Sequence, residues 1–275
     1  MTATFATIDE LIRPERHLFL SPHYDDIALS CGGTAATLSR HGRRPEIALI
    51  FGDHPDPAQP LTAFARQLHD EWKLSAEEVI GARRREEAAA TAAMGADERV
   101  LPFHDAIYRG DRYLDDEQLF GPPHADETDL GARIADSAGL GGEADASESV
   151  RVYAPLAVGQ HIDHQHAFNA GSALAARGWD VWFYEDLPYS LFPGRKDERI
   201  AALGAAIAPG PAVDISETWE TKIDAILAYP SQLSVIFRVY VDVGTSRAQI
   251  DAAMSAYARN AGDGVRAEQF WRIRP

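Results

Sequence analysis

The chain has 275 residues, of which 45% are hydrophobic and 25% are charged, so it can bury a sizeable core as a single large domain over residues 1–275. The formal net charge of −16, without a long block of Lys or Arg, argues against nucleic acid as a partner because like charges repel. The single cysteine, Cys31, excludes an intrachain disulfide and any zinc site built from several cysteines.

No secretory signal pattern precedes Arg13, and no apolar run approaches the roughly 20 residues of a membrane span. We therefore expect a cytoplasmic protein without a membrane span. The sequence does not indicate an oligomeric state.

The first strong element is a buried strand over His17–Ser21, followed by a helix of small residues that starts near Ile27. The turn between them carries His23, Asp25 and Asp26. This turn lies at the carboxyl end of a strand, where open α/β sheets bind ligands. Because they are three residues apart, the side chains of His23 and Asp26 can converge on one metal ion, with Asp25 beside them.

Strands and helices then alternate along the rest of the chain, interrupted by two long segments that we interpret as insertions near 54–80 and 106–149. The pattern predicts strands over 45–51, 99–103, 150–156 and 179–184, and helices over 81–94, to about 177 after the fourth strand, and over 219–227. Gly95 is expected to close the helix that precedes it.

This alternation predicts an α/β fold, with a doubly wound, mostly parallel sheet and helices on both faces. In the common doubly wound order the first and fourth strands are neighbours, with the binding crevice between them. The turn after the fourth strand carries His161, Asp163 and His164, so we expect it to meet the first turn and to supply His164 as a third metal ligand. A dinucleotide site is disfavoured, since the first turn lacks G-x-G-x-x-G and places carboxylates where a pyrophosphate would lie.

Two motifs together resemble the PIG-L/LmbE family of zinc-dependent N-acetylglucosaminyl deacetylases. They are the stretch from Ser21 to Gly33 and the stretch His161-Ile162-Asp163-His164. Further matches in type and order are Arg83-x-x-Glu86 before Gly95, His104-Asp105, and the segment from Tyr184 to Tyr189. The resemblance spans most of the chain, and it departs from the family at Tyr24, where many members carry proline.

The resemblance implies a Rossmann-like fold and one Zn²⁺ per chain on His23, Asp26 and His164, although another divalent metal would suit the same ligands. It implies Asp25 as general base and His161 as the electrophilic or acid partner. The substrate would be an N-acylated amino-sugar conjugate that loses its acyl group.

Elementary chemistry agrees with these roles. Zinc polarises a carbonyl and lowers the pKa of a bound water to about 7, and Asp25 can take the proton of that water. We expect His161 to be a charged imidazolium that stabilises the oxyanion and protonates the amine. Asp163 can accept from an imidazole nitrogen and fix its tautomer.

Substrate contacts are expected from Arg83, Asp105 and Tyr24. Simpler interpretations compete with these roles, because Asp25 can cap the following helix and Arg83 can be a solvated helix charge. Two other functions stay open at this point. They are a two-metal phosphoesterase and a non-catalytic protein that binds a metal or a sugar.

Overall fold

A computed structural model describes residues 3–55, 58–72, 76–145 and 149–274. Within these ranges, seven strands form one sheet in the order β3-β2-β1-β4-β5-β7-β6. The strands are β1 Arg16–Ser21, β2 Glu46–Leu49, β3 Asp97–Val100, β4 Val150–Pro155, β5 Asp180–Tyr184, β6 Ile207–Asp214 and β7 Ala267–Ile273. The helices are α1 Ile8–Ile12, α2 Asp26–Arg40, α3 Ala63–Trp72, α4 Ala76–Met94, α5 Asp116–Leu119, α6 Leu130–Ser137, α7 Ile162–Ala176, α8 Arg195–Leu203, α9 Trp219–Leu227, α10 Pro230–Leu233 and α11 Arg247–Ala261, with a π-helical segment over Ser234–Tyr240.

The predicted α/β class and doubly wound sheet are confirmed. Strands β1 to β5 pair in parallel, and β1 lies between β2 and β4. In the β1–β4 ladder Leu18 pairs with Val152 and Phe19 with Tyr153, so the two strands run side by side and end at the same edge of the sheet. The two turns rich in His and Asp therefore meet in space.

Helices cover both faces of the sheet, and each face has its own apolar core. Successive residues of a strand point to opposite faces, so Phe19 lies in one core and Leu18 in the other. Helices α2, α4, α9 and α11 contribute to the Phe19 side, and α6 and α7 contribute to the Leu18 side. Within the described ranges, no helix is long and apolar enough to cross a bilayer.

Several elements differ from the sequence-based prediction. Strand β3 starts at Asp97, two residues before the predicted 99–103, and α4 begins at Ala76 rather than at 81. Strand β7 was not predicted, because its alternation is broken by polar residues, and it runs antiparallel between β5 and β6. The predicted insertion over 106–149 contains α6, which packs on α7 and so belongs to the connection between β3 and β4.

Helix α2 is kinked at Cys31, where φ is −141° and ψ is 25°. The kink frees backbone N–H groups on its carboxyl side, and a buried carboxylate from β7 accepts them: Glu268 accepts from the amides of Gly33 and Thr34 at 3.0 and 2.7 Å. Lys222 of α9 donates to the same carboxylate at 2.5 Å. This buried pair ties α2, whose first turn carries the site, to α9 and the sheet.

His17 in β1 should make stability depend on pH. It is 1% exposed, its Nε2 lies 3.0 Å from the Pro14 carbonyl, and its Nδ1 lies 3.1 Å from the Tyr153 hydroxyl, an arrangement that suits a neutral ring. Burial, followed by the charge of Arg151, lowers its pKa from 6.5 to about 4. The unfolded chain therefore binds one more proton than the fold between these values, and stability is lost as the pH falls from 6.5 towards 4.

We expect His17→Gln, which keeps a donor and an acceptor but does not titrate, to remove this loss. Between about pH 7 and about pH 5.5, the free energy of unfolding should fall by about 1 kcal/mol more in the parent than in the variant. Urea unfolding of both proteins at the two pH values measures the difference. Equal falls would show that His17 is not held neutral.

Candidate active site

The turn after β1 places Asp25 in an unusual backbone conformation. Its φ is 80°, in the left-handed region, and it occupies the N-cap position of α2 without making a side-chain capping bond. The Asp26 carboxylate instead accepts from the backbone amide of His23 at 2.7 Å. The capping interpretation of Asp25 is therefore wrong in this structure, and the carboxylate of Asp25 is not used by the helix.

The turn after β4 delivers the second group of polar residues. Ala157, Gly159 and Gln160 all have positive φ, which bends the chain sharply before α7. His161 then caps α7, since its Nδ1 accepts from the amide of Asp163 at 3.2 Å. The first turn of α7 thus presents His161, Asp163 and His164 to the turn after β1, whereas Ile162 packs in an apolar cluster.

The structure brings together the three predicted metal ligands. Asp26 Oδ2 lies 3.7 Å from His23 Nδ1 and 3.4 Å from His164 Nε2, and one ligand atom of each residue lies within 4.8 Å of the others. Tetrahedral zinc with bonds near 2.1 Å would place its ligand atoms about 3.4 Å apart. The donor set and its spacing therefore fit one divalent metal with a position left open.

Each histidine of this group is backed by a buried carboxylate. His23 Nε2 lies 2.8 Å from Asp163 Oδ2, and His164 Nδ1 lies 2.6 Å from Asp186 Oδ1. Such bonds fix the tautomer, so that His23 Nδ1 and His164 Nε2 are left to bind metal. Sequence reasoning did not single out Asp186. The available signal was its position directly after β5, beside the end of β4.

Asp163 is also bound by a cation. Arg109 Nη1 donates to its Oδ1 at 2.5 Å, and Arg109 bridges on to Glu127 at 2.9 Å. Although burial opposes it, the Arg109 guanidinium holds the pKa of Asp163 well below its usual range. His23, His161 and Asp163 form a second group of possible ligand atoms, but Arg109 would repel a cation there. This arrangement argues against a two-metal phosphoesterase.

His161 is buried, with its ring centroid 4.8 Å from that of His23. Burial, followed by the charge of His23, lowers the pKa of His161 well below 6.5. Because its Nδ1 accepts from a backbone amide, the neutral ring carries its hydrogen on Nε2. The predicted imidazolium is thus not supported here, since the burial and the bond of His161 favour a neutral ring with its hydrogen on Nε2.

Asp25 is 9% exposed, and burial, followed by the charge of Asp26, raises its pKa to about 7. The half-buried guanidinium of Arg83 opposes that rise, so it lies within electrostatic range of Asp25. Asp105 lies 3.7 Å from His23 Nε2, and burial raises its pKa as well. Of the three predicted substrate contacts, Arg83 and Asp105 are therefore at the site.

Tyr24 is not placed to contact a substrate. Its side chain packs in the core beside α2, is 4% exposed, and donates its hydroxyl to the Gly52 carbonyl at 3.0 Å. An aromatic residue in the middle of the turn is drawn into the apolar core, while its polar neighbours face the crevice.

A protein-family model described as PIG-L, GlcNAc-PI de-N-acetylase matches residues 18–175. The chain belongs to the PIG-L family. A 2'-N-acetylparomamine deacetylase of Streptomyces fradiae is 34% identical over 236 residues, which cover 82% of this PIG-L chain and 76% of that protein. A protein of the same description from Niallia circulans is 29% identical over 188 residues, which cover 62% of this chain and 66% of that protein.

Solved structures agree with this family. An A40926 pseudoaglycone deacetylase is 27% identical, with a TM-score of 0.67 over 95% of this chain and 98% of that one. A deacetylase of teicoplanin biosynthesis is 25% identical, with a TM-score of 0.72 over 93% of this chain and 96% of that one. The predicted family resemblance and the activity of a metal-dependent N-deacetylase are thereby confirmed.

Removing one ligand should remove the metal, whereas weakening the carboxylate behind it should only lower affinity. We expect His164→Ala to abolish tight binding of one divalent ion, and Asp186→Asn to weaken it about 10- to 100-fold. Calorimetric titration of the metal-stripped protein with Zn²⁺ measures both. His41→Ala, remote from the site, is the control and should bind as the parent does. Unchanged affinity in His164→Ala would contradict the ligand assignment.

Proposed function

We propose that this PIG-L enzyme binds one Zn²⁺ on His23, Asp26 and His164 and hydrolyses the acetamide of an N-acetylated amino-sugar conjugate, with Asp25 as the base. The observation that carries the proposal is the uncapped carboxylate of Asp25 beside two carboxylate-backed histidines. A purely structural turn would be expected to use Asp25 as a helix cap.

Two imidazoles and one carboxylate, with an open fourth position, are a ligand set typical of catalytic zinc. When bound, zinc supplies Lewis acidity to the amide carbonyl and to the attacking water. The solved zinc-inhibited form of teicoplanin deacetylase, 25% identical with a TM-score of 0.70, is described as inhibited by the same metal. Excess Zn²⁺ is therefore expected to inhibit this enzyme as well, so its activity should be measured at Zn²⁺ concentrations well above one equivalent per chain.

In the proposed reaction Asp25 accepts a proton from the attacking water, whose hydroxyl adds to the acetyl carbon. The neutral His161 donates its Nε2–H to the oxyanion that develops on the carbonyl oxygen. Asp25 then returns the proton to the nitrogen as the C–N bond breaks, which gives acetic acid and the free amine; the acid then passes its proton to the amine, leaving acetate and an ammonium group. Asp163 keeps His23 oriented, and its charge is balanced by Arg109.

Three observations support a narrower substrate class. The Streptomyces fradiae and Niallia circulans relatives are described as acting on 2'-N-acetylparomamine. The net charge of −16 favours a substrate that carries further amines. The rings of Phe120 and Tyr189 contact His161 and His164 at centroid distances of 5.3 and 5.5 Å, and they form an aromatic wall against which a sugar ring can pack. We infer an N-acetylated, cationic amino-sugar glycoside.

The zinc-loaded protein should be incubated with 2'-N-acetylparomamine, an N-acetylglucosamine-bearing glycopeptide and free N-acetylglucosamine, with released acetate and the mass of the amine product as readouts. We expect the cationic glycoside to be cleaved most efficiently, with kcat/KM at least about 10-fold above the free sugar. Preference for the glycopeptide would reassign the substrate class. Absence of released acetate with all three substrates would contradict the proposed reaction.

His161 should be needed for the rate of the reaction and not for metal binding. We expect His161→Ala to lower kcat by about 10²- to 10³-fold, the range for removing one oxyanion donor, while its zinc affinity stays near that of the parent. His161→Gln, which retains an N–H donor, should recover part of the rate. Full activity in His161→Ala would remove His161 from the mechanism.

A further inference from the structure

We propose that Glu87 of α4 is a positioning residue for Asp25. By accepting the Asp25 backbone amide, it fixes the left-handed turn that directs the Asp25 carboxylate into the site. This inference rests on the role of Asp25 in the proposed function, and it adds a residue that lies outside the motifs carrying the family resemblance.

The conformation of Asp25 needs an explanation. A φ of 80° and ψ of −26° put a non-glycine residue in the left-handed region, at a cost of roughly 1 kcal/mol or more. Such a conformation persists only where the surroundings impose it. A helix N-cap usually has an extended backbone and a side chain that bonds the first turn, and Asp25 has neither.

Glu87 supplies the missing constraint. It is 1% exposed, and its Oε2 accepts from the backbone amide of Asp25 at 3.2 Å. The Tyr229 hydroxyl donates to the same oxygen at 2.6 Å. A buried donor needs an acceptor, and the Asp25 amide has one in the Glu87 carboxylate of α4.

The segment after α9 fixes the position of α4, and of Glu87 on it, through hydrogen bonds. Tyr229 is 1% exposed, and two residues later Ser231 donates its amide and its hydroxyl to Glu86 at 2.9 and 2.6 Å. Gln232 accepts from Arg83. One short segment, 229–232, thus contacts three polar residues of α4, and the Glu87 oxygen is one of its three attachment points.

The role of Glu87 requires an acceptor oxygen and no charge. Burial raises the pKa of Glu87 to about 8, so glutamine is a close replacement for the group near neutral pH. Leucine has a similar size but no acceptor. The pair Glu87→Gln and Glu87→Leu therefore separates positioning by a hydrogen bond from charge and from packing.

The experiment measures kcat, KM, zinc affinity and urea stability for the zinc-loaded parent and variants, with the best substrate of the panel above. We expect Glu87→Leu to lower kcat about 10- to 100-fold, the loss typical of a displaced catalytic group, with KM and zinc affinity within about 3-fold of the parent. Glu87→Gln should stay within about 3-fold in kcat. Tyr229→Phe, which removes only the hydroxyl, should lose less than Glu87→Leu.

A stability-matched control is Ile223→Ala, which opens the core of α9 without touching Asp25. It should lose as much stability as Glu87→Leu or more, and keep kcat. Equal losses of kcat in Ile223→Ala and Glu87→Leu would reduce Glu87 to a packing residue. A parallel loss of zinc affinity in Glu87→Leu would show that Glu87 positions the metal-binding residues of the turn and not Asp25 alone. If Glu87→Leu does not fold, the test rests on Glu87→Gln, and a kcat in this variant far below that of the parent would overturn the proposal.

Asp25→Ala separates the two levels of inference. If Asp25→Ala is inactive while Glu87→Leu keeps its full kcat, the positioning role fails and the proposed function stands. If Asp25→Ala keeps full activity, the role of Asp25 in the proposed function fails, and the role of Glu87 fails with it.

Discussion

The parallel pairing of β1 with β4 is the constraint on which the site depends. Because Leu18 pairs with Val152 and Phe19 with Tyr153, the two strands end together, and the turns that follow them face each other. Neither turn alone holds all of His23, Asp26 and His164, which could hold a metal ion together. The crevice between neighbouring strands whose connections leave in opposite directions is the usual ligand site of such sheets, and here it contains the histidines and carboxylates.

Buried charge is tolerated in this crevice because Asp163, Asp186 and the two histidines are joined by hydrogen bonds and ion pairs. Arg109 binds Asp163, Asp163 binds His23, and Asp186 binds His164. An unpaired charge at this depth would be costly, whereas a fully bonded network is rigid. The same network leaves His23 Nδ1 and His164 Nε2 facing the carboxylate of Asp26. Asp25 differs, since its carboxylate makes no capping bond to α2 and is not one of the partners in these bonds.

Much of the fold and part of the site could be predicted from the sequence. The alternating strands and helices, the adjacency of the first and fourth strands, and the convergence of His23, Asp26 and His164 follow from patterns of a few residues read against a common topology. Strand β7 could not be predicted in this way, because its alternation of apolar and polar residues is weak. Its position between β5 and β6 also depends on pairing with strands that lie earlier in the chain. Tyr24 was misplaced because only packing decides which side chain of a turn enters the core.

By itself the sequence determined which residue types stand at the ends of β1 and β4, because hydrophobic periodicity and turn chemistry are local properties. Only the tertiary structure decided how these residues are held and protonated. The neutral state of His161 depends on its burial beside His23, and the orientation of His164 depends on Asp186 from another strand. The backbone of Asp25 is bonded by Glu87 from a distant helix. Burial and hydrogen bonding between distant segments have no local signature, so they emerge only when the chain is folded.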